Sequence, residues 1–66
     1  MSRKFIVEIE IENDAFHPLP QFEVARILNT VARKIDQDDF ANNNVGFFLF
    51  DSYGNKVGTT KLIEEN

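Results

Sequence analysis

The chain contains no cysteine, which leaves neither a disulfide framework nor a thiolate metal site open to it. Its one histidine, His17, rules out a histidine-rich metal centre. Basic residues are in deficit, with seven Lys and Arg against eleven Asp and Glu. That balance argues against nucleic-acid backbone or an anionic membrane as the main partner, because both reward net positive charge. No apolar run approaches the roughly 18 residues of a membrane span. Met1-Ser2-Arg3-Lys4 has the charge of a secretory signal's first region, but an alternating pattern follows it instead of a continuous apolar core. A soluble cytoplasmic protein is expected.

What the chain does have is phenylalanine. Seven stand among 66 residues, within an apolar fraction of 42%. Burying one such side chain contributes roughly 1.5–3 kcal/mol. Sixty-six residues make one domain, spanning 1–66, near the lower size at which a chain folds without staples. A core of that size cannot take every ring, so some are expected at the surface unless another chain covers them.

The longest helical period runs from Gln21 to Ile35. Val24, Leu28, Val31 and Ile35 are spaced by four, three and four, which predicts an amphipathic helix with that stripe against the core. Ile27 widens the stripe on one side, Ala25 and Ala32 on the other, and Arg26 and Arg33 share the opposite face. Pro20 suits the first helical position, where its missing N–H is not needed, and Glu23 compensates the dipole in the first turn. Before the helix, His17-Pro18-Leu19-Pro20 bars a continuing strand. Phe16 and Leu19 are expected to tuck beneath the first turn. The helix should fade near Asp36, with Asp38 and Asp39 in a solvated turn.

Arg3 to Glu12 alternates cleanly. Phe5, Val7, Ile9 and Ile11 point one way, and Ile6, Glu8, Glu10 and Glu12 the other. The Asn42-Asn43-Asn44 turn cluster leads into a second strand, Val45 to Phe50. Asp51-Ser52-Tyr53-Gly54 has the chemistry of a type I turn followed by a left-handed glycine, and a third strand runs from Asn55 to Ile63. This loop sets Asp51 opposite Asn55, Leu49 opposite Val57, Phe48 opposite Gly58 and Phe50 opposite Lys56. The reading is α+β: one β-α-β-β domain, with a three-stranded mixed sheet ordered 1-3-2 and the helix on one face.

Catalysis has little to work with. The chain has no Cys nucleophile, no Gly-rich phosphate loop and no credible Ser-His-Asp scaffold. Asp36, Asp38 and Asp39 lack the central Gly and terminal Glu of a calcium loop, and no metal or other cofactor is expected. Glu8, Glu10 and Glu12 align on one strand face, but an open sheet gives no cleft in which one carboxyl's pKa would rise, so no enzyme is expected. Those glutamates also suit a charge ladder imitating nucleic-acid phosphates. The aromatics are more informative. With Phe47, Leu49 and Val57 facing the helix, Phe48 and Phe50 stand on the open face near Ile6 and Leu62, rimmed by Glu8 and Glu10, an arrangement expected of an interface. The reverse phase would bury Phe48 and Phe50 instead. RNA recognition also uses open-face aromatics, but it needs basic residues beside them where this chain has glutamates.

Three pieces of the sequence, taken together, carry a resemblance: Glu12-Asn13-Asp14-Ala15-Phe16, Glu23-Val24-Ala25-Arg26-Ile27-Leu28 with Val31-Ala32-Arg33-Lys34-Ile35, and Asp51-Ser52-Tyr53-Gly54-Asn55-Lys56-Val57-Gly58. They resemble pieces of short uncharacterised proteins encoded by bacteriophages, prophages and plasmids. The resemblance implies a mobile-element origin and no particular activity. It also implies that Phe50, where the family pattern has a polar residue, points away from the helix. The expected function is a small acidic module that binds protein, either itself as a homodimer or a host protein, through Ile6, Glu8, Glu10, Phe48 and Phe50. It makes no direct use of nucleic acid or membrane. The alternative is an acidic nucleic-acid mimic that inhibits a host DNA-acting defence system of restriction or CRISPR type.

Overall fold

A computed structural model describes residues 2–37 and 46–65. Strand β1 (Ser2–Ile9) leads through a 3-10 turn (Asp14–Phe16) to helix α1 (Pro20–Gln37), followed by β2 (Phe48–Phe50) and β3 (Lys56–Glu65). The sheet order is β1-β3-β2, with α1 on one face. Because β1 and β2 run parallel but are separated by β3, both hydrogen-bonded pairs are antiparallel. The architecture is the α+β arrangement expected, with strand order 1-3-2. The sheet expected to be mixed is antiparallel throughout, because β3 separates the two parallel strands and pairs with both. Asp38, Asp39, the Asn42 to Asn44 cluster and Val45 lie outside the described residues.

β1 and β2 are shorter than expected for local reasons, and β3 runs two residues further, to Glu65. β1 ends at Ile9 rather than Glu12; Glu10 still donates to the Val57 carbonyl at 2.7 Å, but Ile11 and Glu12 run past the ladder. β2 begins at Phe48 because Phe47 N–H turns to the Thr60 hydroxyl at 3.2 Å rather than to a ladder carbonyl. The turn matches its chemistry. Gly54 has φ 86°, its N–H donates to the Asp51 carbonyl at 3.1 Å, and Asp51 N–H donates to the Asn55 carbonyl at 2.9 Å.

Beyond the turn a bulge changes the register. Phe50 faces Lys56 as expected, but Leu49 faces Gly58 and Phe48 faces Thr59. Val57 is the extra residue, so it and Gly58 both lean toward the helix side. Gly58 is required there, because a Cβ would collide with the Glu8 carbonyl of the neighbouring strand. Leu62 pairs with Phe5 and so lies on the helix side, not the open one.

The core is Phe16, Ile27, Val31, Leu49 and Val57, with Phe5, Val7, Ile9, Val24, Ile35 and Phe47 packed around it. Phe16 is fully buried, but Leu19 is exposed. The helix is rotated from the expected phase by about one position. Ile27 is buried and Leu28 is 44% exposed, and Ala25 and Ala32 are exposed as well. The cause is polar. Glu23 is itself buried against the hairpin turn, so the inner line runs Glu23, Ile27, Val31. A hydrophobic stripe gives no weight to an inward carboxylate.

Candidate functional site

Two surfaces hold side chains that could act. The first is a polar junction where the 3-10 turn, the start of α1 and the β2-β3 turn meet. Asn13 caps the 3-10 turn by accepting from Ala15 N–H at 3.2 Å, and its amide donates to Asp51 at 2.7 Å. Asp51 also accepts from the backbone N–H groups of Tyr53 and Asn55, both at 2.9 Å. Glu23 accepts two hydrogen bonds from Arg26, each 3.0 Å, and one from Ser52 N–H at 2.7 Å. Arg26 reaches on to the Phe50 carbonyl at 3.1 Å, so it leans toward β2 and does not share a far solvent face with Arg33.

Charge at this junction is settled by these bonds. The Arg26 hydrogen bonds hold the Glu23 carboxyl below its usual range, helped by Ser52 N–H and opposed by burial. Glu23 in turn raises Arg26. Burial is the largest single influence on Asp51 and pushes it up, but the bonds from Asn55, Asn13 and Tyr53 together outweigh it and leave the carboxyl lowered. Every carboxylate oxygen is occupied from within the chain. The junction is a fastener between elements and has no free group poised for proton transfer. Of this network, the sequence reveals only Asp51 as the turn's first residue; Asn13 and Glu23 are distant from it, and a short polar residue carries no sign of its long-range partner.

The second surface is the open face of the sheet and the β2 edge. Phe48 is 57% exposed and Phe50 50%, two residues apart on one face, while Leu49 between them is buried. Lys56 Nζ stands 4.3 Å over the Phe48 ring, and on the helix side Lys34 Nζ stands 4.8 Å over Phe47. Glu8 and Glu10 share a shallow groove with Lys56 and Thr59 on the open face. Ile6 is only half-buried and faces Lys61, which makes an ion pair with Glu8 at 3.4 Å.

The expected continuous patch of Ile6 with Phe48 and Phe50 is not assembled. The register places Phe48, Thr59 and Glu8 in one row, and Ile6 beside Lys61 in the next. Two strand spacings, about 10 Å, separate Ile6 from the β2 rings. What the fold brings together is Phe48, Phe50 and Lys56, with the two glutamates across Thr59. The glutamate ladder is also interrupted. Glu12 lies past the end of β1, and Glu8 is held by Lys61. His17 is exposed and its ring hydrogen-bonds the Glu12 carbonyl at 3.1 Å.

Among the described residues, no three His, Asp or Glu side chains converge as metal ligands, and no helix is long and apolar enough to cross a membrane. Compared with protein-family models, curated proteins and solved structures, the chain matches none.

Proposed function

We propose that this chain is a small protein-binding module of phage or mobile-element origin, working without catalysis, and that it binds a second copy of itself or a host protein through the β2 end of its sheet. One observation carries the reading: two phenylalanines stand at least half exposed side by side on a strand whose central residue, Leu49, is anchored in the core. A ring left half in water forgoes part of the roughly 1.5–3 kcal/mol that full burial contributes, and a partner surface recovers it. Large exposed aromatics also match the composition of interface centres. The mimic reading has less support, because Lys61 and Lys56 stand among the glutamates that would have to imitate phosphates.

Affinity capture from a bacterial lysate, run beside light scattering of the purified chain, tests the proposal. A specific partner or a dimer mass is expected with the native chain, and a sharp loss of that partner or mass with Phe48→Ser. Capture of basic DNA-acting proteins that Phe48→Ser leaves unchanged would move the function to the acidic surface.

A further inference from the structure

The β2 edge has a side that β3 does not use. Arg26 donates to the Phe50 carbonyl from the helix, so that carbonyl faces away from β3. Alternation along a strand turns the N–H and C=O of Phe48 to the same outer side. Among the described residues, no backbone strand pairs with β2 there. Alongside this edge runs a groove of ≈ 190 Å³ between α1 and β2, floored by Ile27 and Leu49. Arg26, Thr30 and Lys34, each four residues after the last, form its helix wall.

Among the described residues, the unpaired charges on this edge have one sign, in a chain whose net charge is −4. Lys34 is exposed on the helix side and Lys56 on the open side, while Arg26, also exposed, is already paired with Glu23. The acids nearby, Glu23 and Asp51, are buried and already bonded. A strand added to the edge would alternate between the two sides, meeting Lys34 and the Arg26–Glu23 pair on one and the rings of Phe48 and Phe50 on the other.

Resting on the protein-binding reading above, we infer that the β2 edge receives an extended segment of another protein in which acidic and apolar residues alternate, adding it as a fourth strand. The acidic side chains meet Lys34 beside the Arg26–Glu23 pair, and the apolar ones cover Phe48 and Phe50. A second copy paired by this edge would instead bring the Lys34 side of two helices together, a like-charge contact that disfavours it.

Fluorescence anisotropy with capped, labelled peptides of about six residues, a common strand length, tests this. The probes are alternating Val-Glu, alternating Val-Lys, and Val-Glu with every second amide N-methylated, prepared in both phases. The Val-Glu peptide is expected to bind, and the Val-Lys peptide to bind at least about tenfold more weakly, with an affinity difference that shrinks as salt rises. N-methylation in one phase should weaken binding by about tenfold or more, because it removes the main-chain hydrogen bonds of strand addition. Lys34→Glu should weaken the Val-Glu peptide, with Lys56→Glu as an independent variant and circular dichroism confirming that each is folded. Equal binding of both N-methylated phases, equal binding of the Val-Lys peptide, or no binding of Val-Glu overturns strand addition. Each leaves the protein-binding reading standing if Phe48→Ser still abolishes capture. A stable dimer that the peptide does not dissociate gives the edge to a second copy and overturns the assignment of its occupant.

Discussion

Asn13 and Asp51 lie 38 positions apart and are joined by a hydrogen bond of 2.7 Å. One side chain thus ties the cap of the 3-10 turn to the first residue of the β2-β3 turn. Glu23 adds the second tie, from the start of α1 to Ser52. The Glu23 bond holds the start of the helix to the turn, and it accounts for an inner helix line of Glu23, Ile27 and Val31.

The same ties make stability depend on acid. Glu23 and Asp51 are both lowered in the folded state, so the unfolded chain takes up protons first as pH falls. The contribution is complete above roughly pH 5, where ordinary carboxyls are ionised in both states, and is lost as pH falls through the lowered folded values. Urea midpoints should therefore hold level from neutral pH to about pH 5 and drop below it. The double variant Glu23→Gln, Asp51→Asn should be less stable at neutral pH and show a shallower acid fall. A midpoint that stays level or rises in acid would contradict the role given to both carboxylates.

The helix phase makes a sharper contrast. Ile27→Ala removes a buried side chain and should cost about 2–5 kcal/mol. Leu28→Ala acts at a largely exposed position and should cost less than about 1 kcal/mol. Urea unfolding of the pair checks it, and the reverse ranking would restore the phase that hydrophobic spacing alone predicts.

That phase shows how far the sequence could be read. The alternation of Phe5, Val7 and Ile9, the long helical period and the Asp51 to Gly54 turn are local patterns, and each gives its element and the sheet order. The inward Glu23 depends on Ser52, 29 residues away, so no window of the helix contains its reason. The bulge at Val57 is equally silent, because one unpaired residue leaves the alternation of β3 plausible on either side. It moves Phe48 from Gly58 to Thr59. The separation of Ile6 from the β2 rings follows from register, which composition and spacing do not fix.

The two turn and strand glycines answer to different tests. Gly54 has a left-handed backbone with open space around it, so Gly54→Val should cost more than about 1 kcal/mol through backbone strain, while Gly54→Asn should cost less. Gly58 lacks room, so Gly58→Ala should cost about 1–3 kcal/mol by forcing β1 and β3 apart at Glu8. Thermal or urea midpoints of the three variants decide the matter. A neutral Gly58→Ala would show that the strands do not approach as closely as described.

On the proposed function, the exposed β2 rings serve binding and contribute little to folding. This is tested most directly by measuring one variant, Phe48→Ser with Phe50→Ser, for stability and association in the same preparation. Both rings are at least half in water already, so each should cost no more than about 1.5 kcal/mol of stability. A native circular-dichroism signal and a cooperative unfolding transition are expected, together with loss of the dimer mass or of the captured partner. Loss of the folded signal would place the rings in the core's service, and a folded variant whose association is unchanged would contradict the binding role itself.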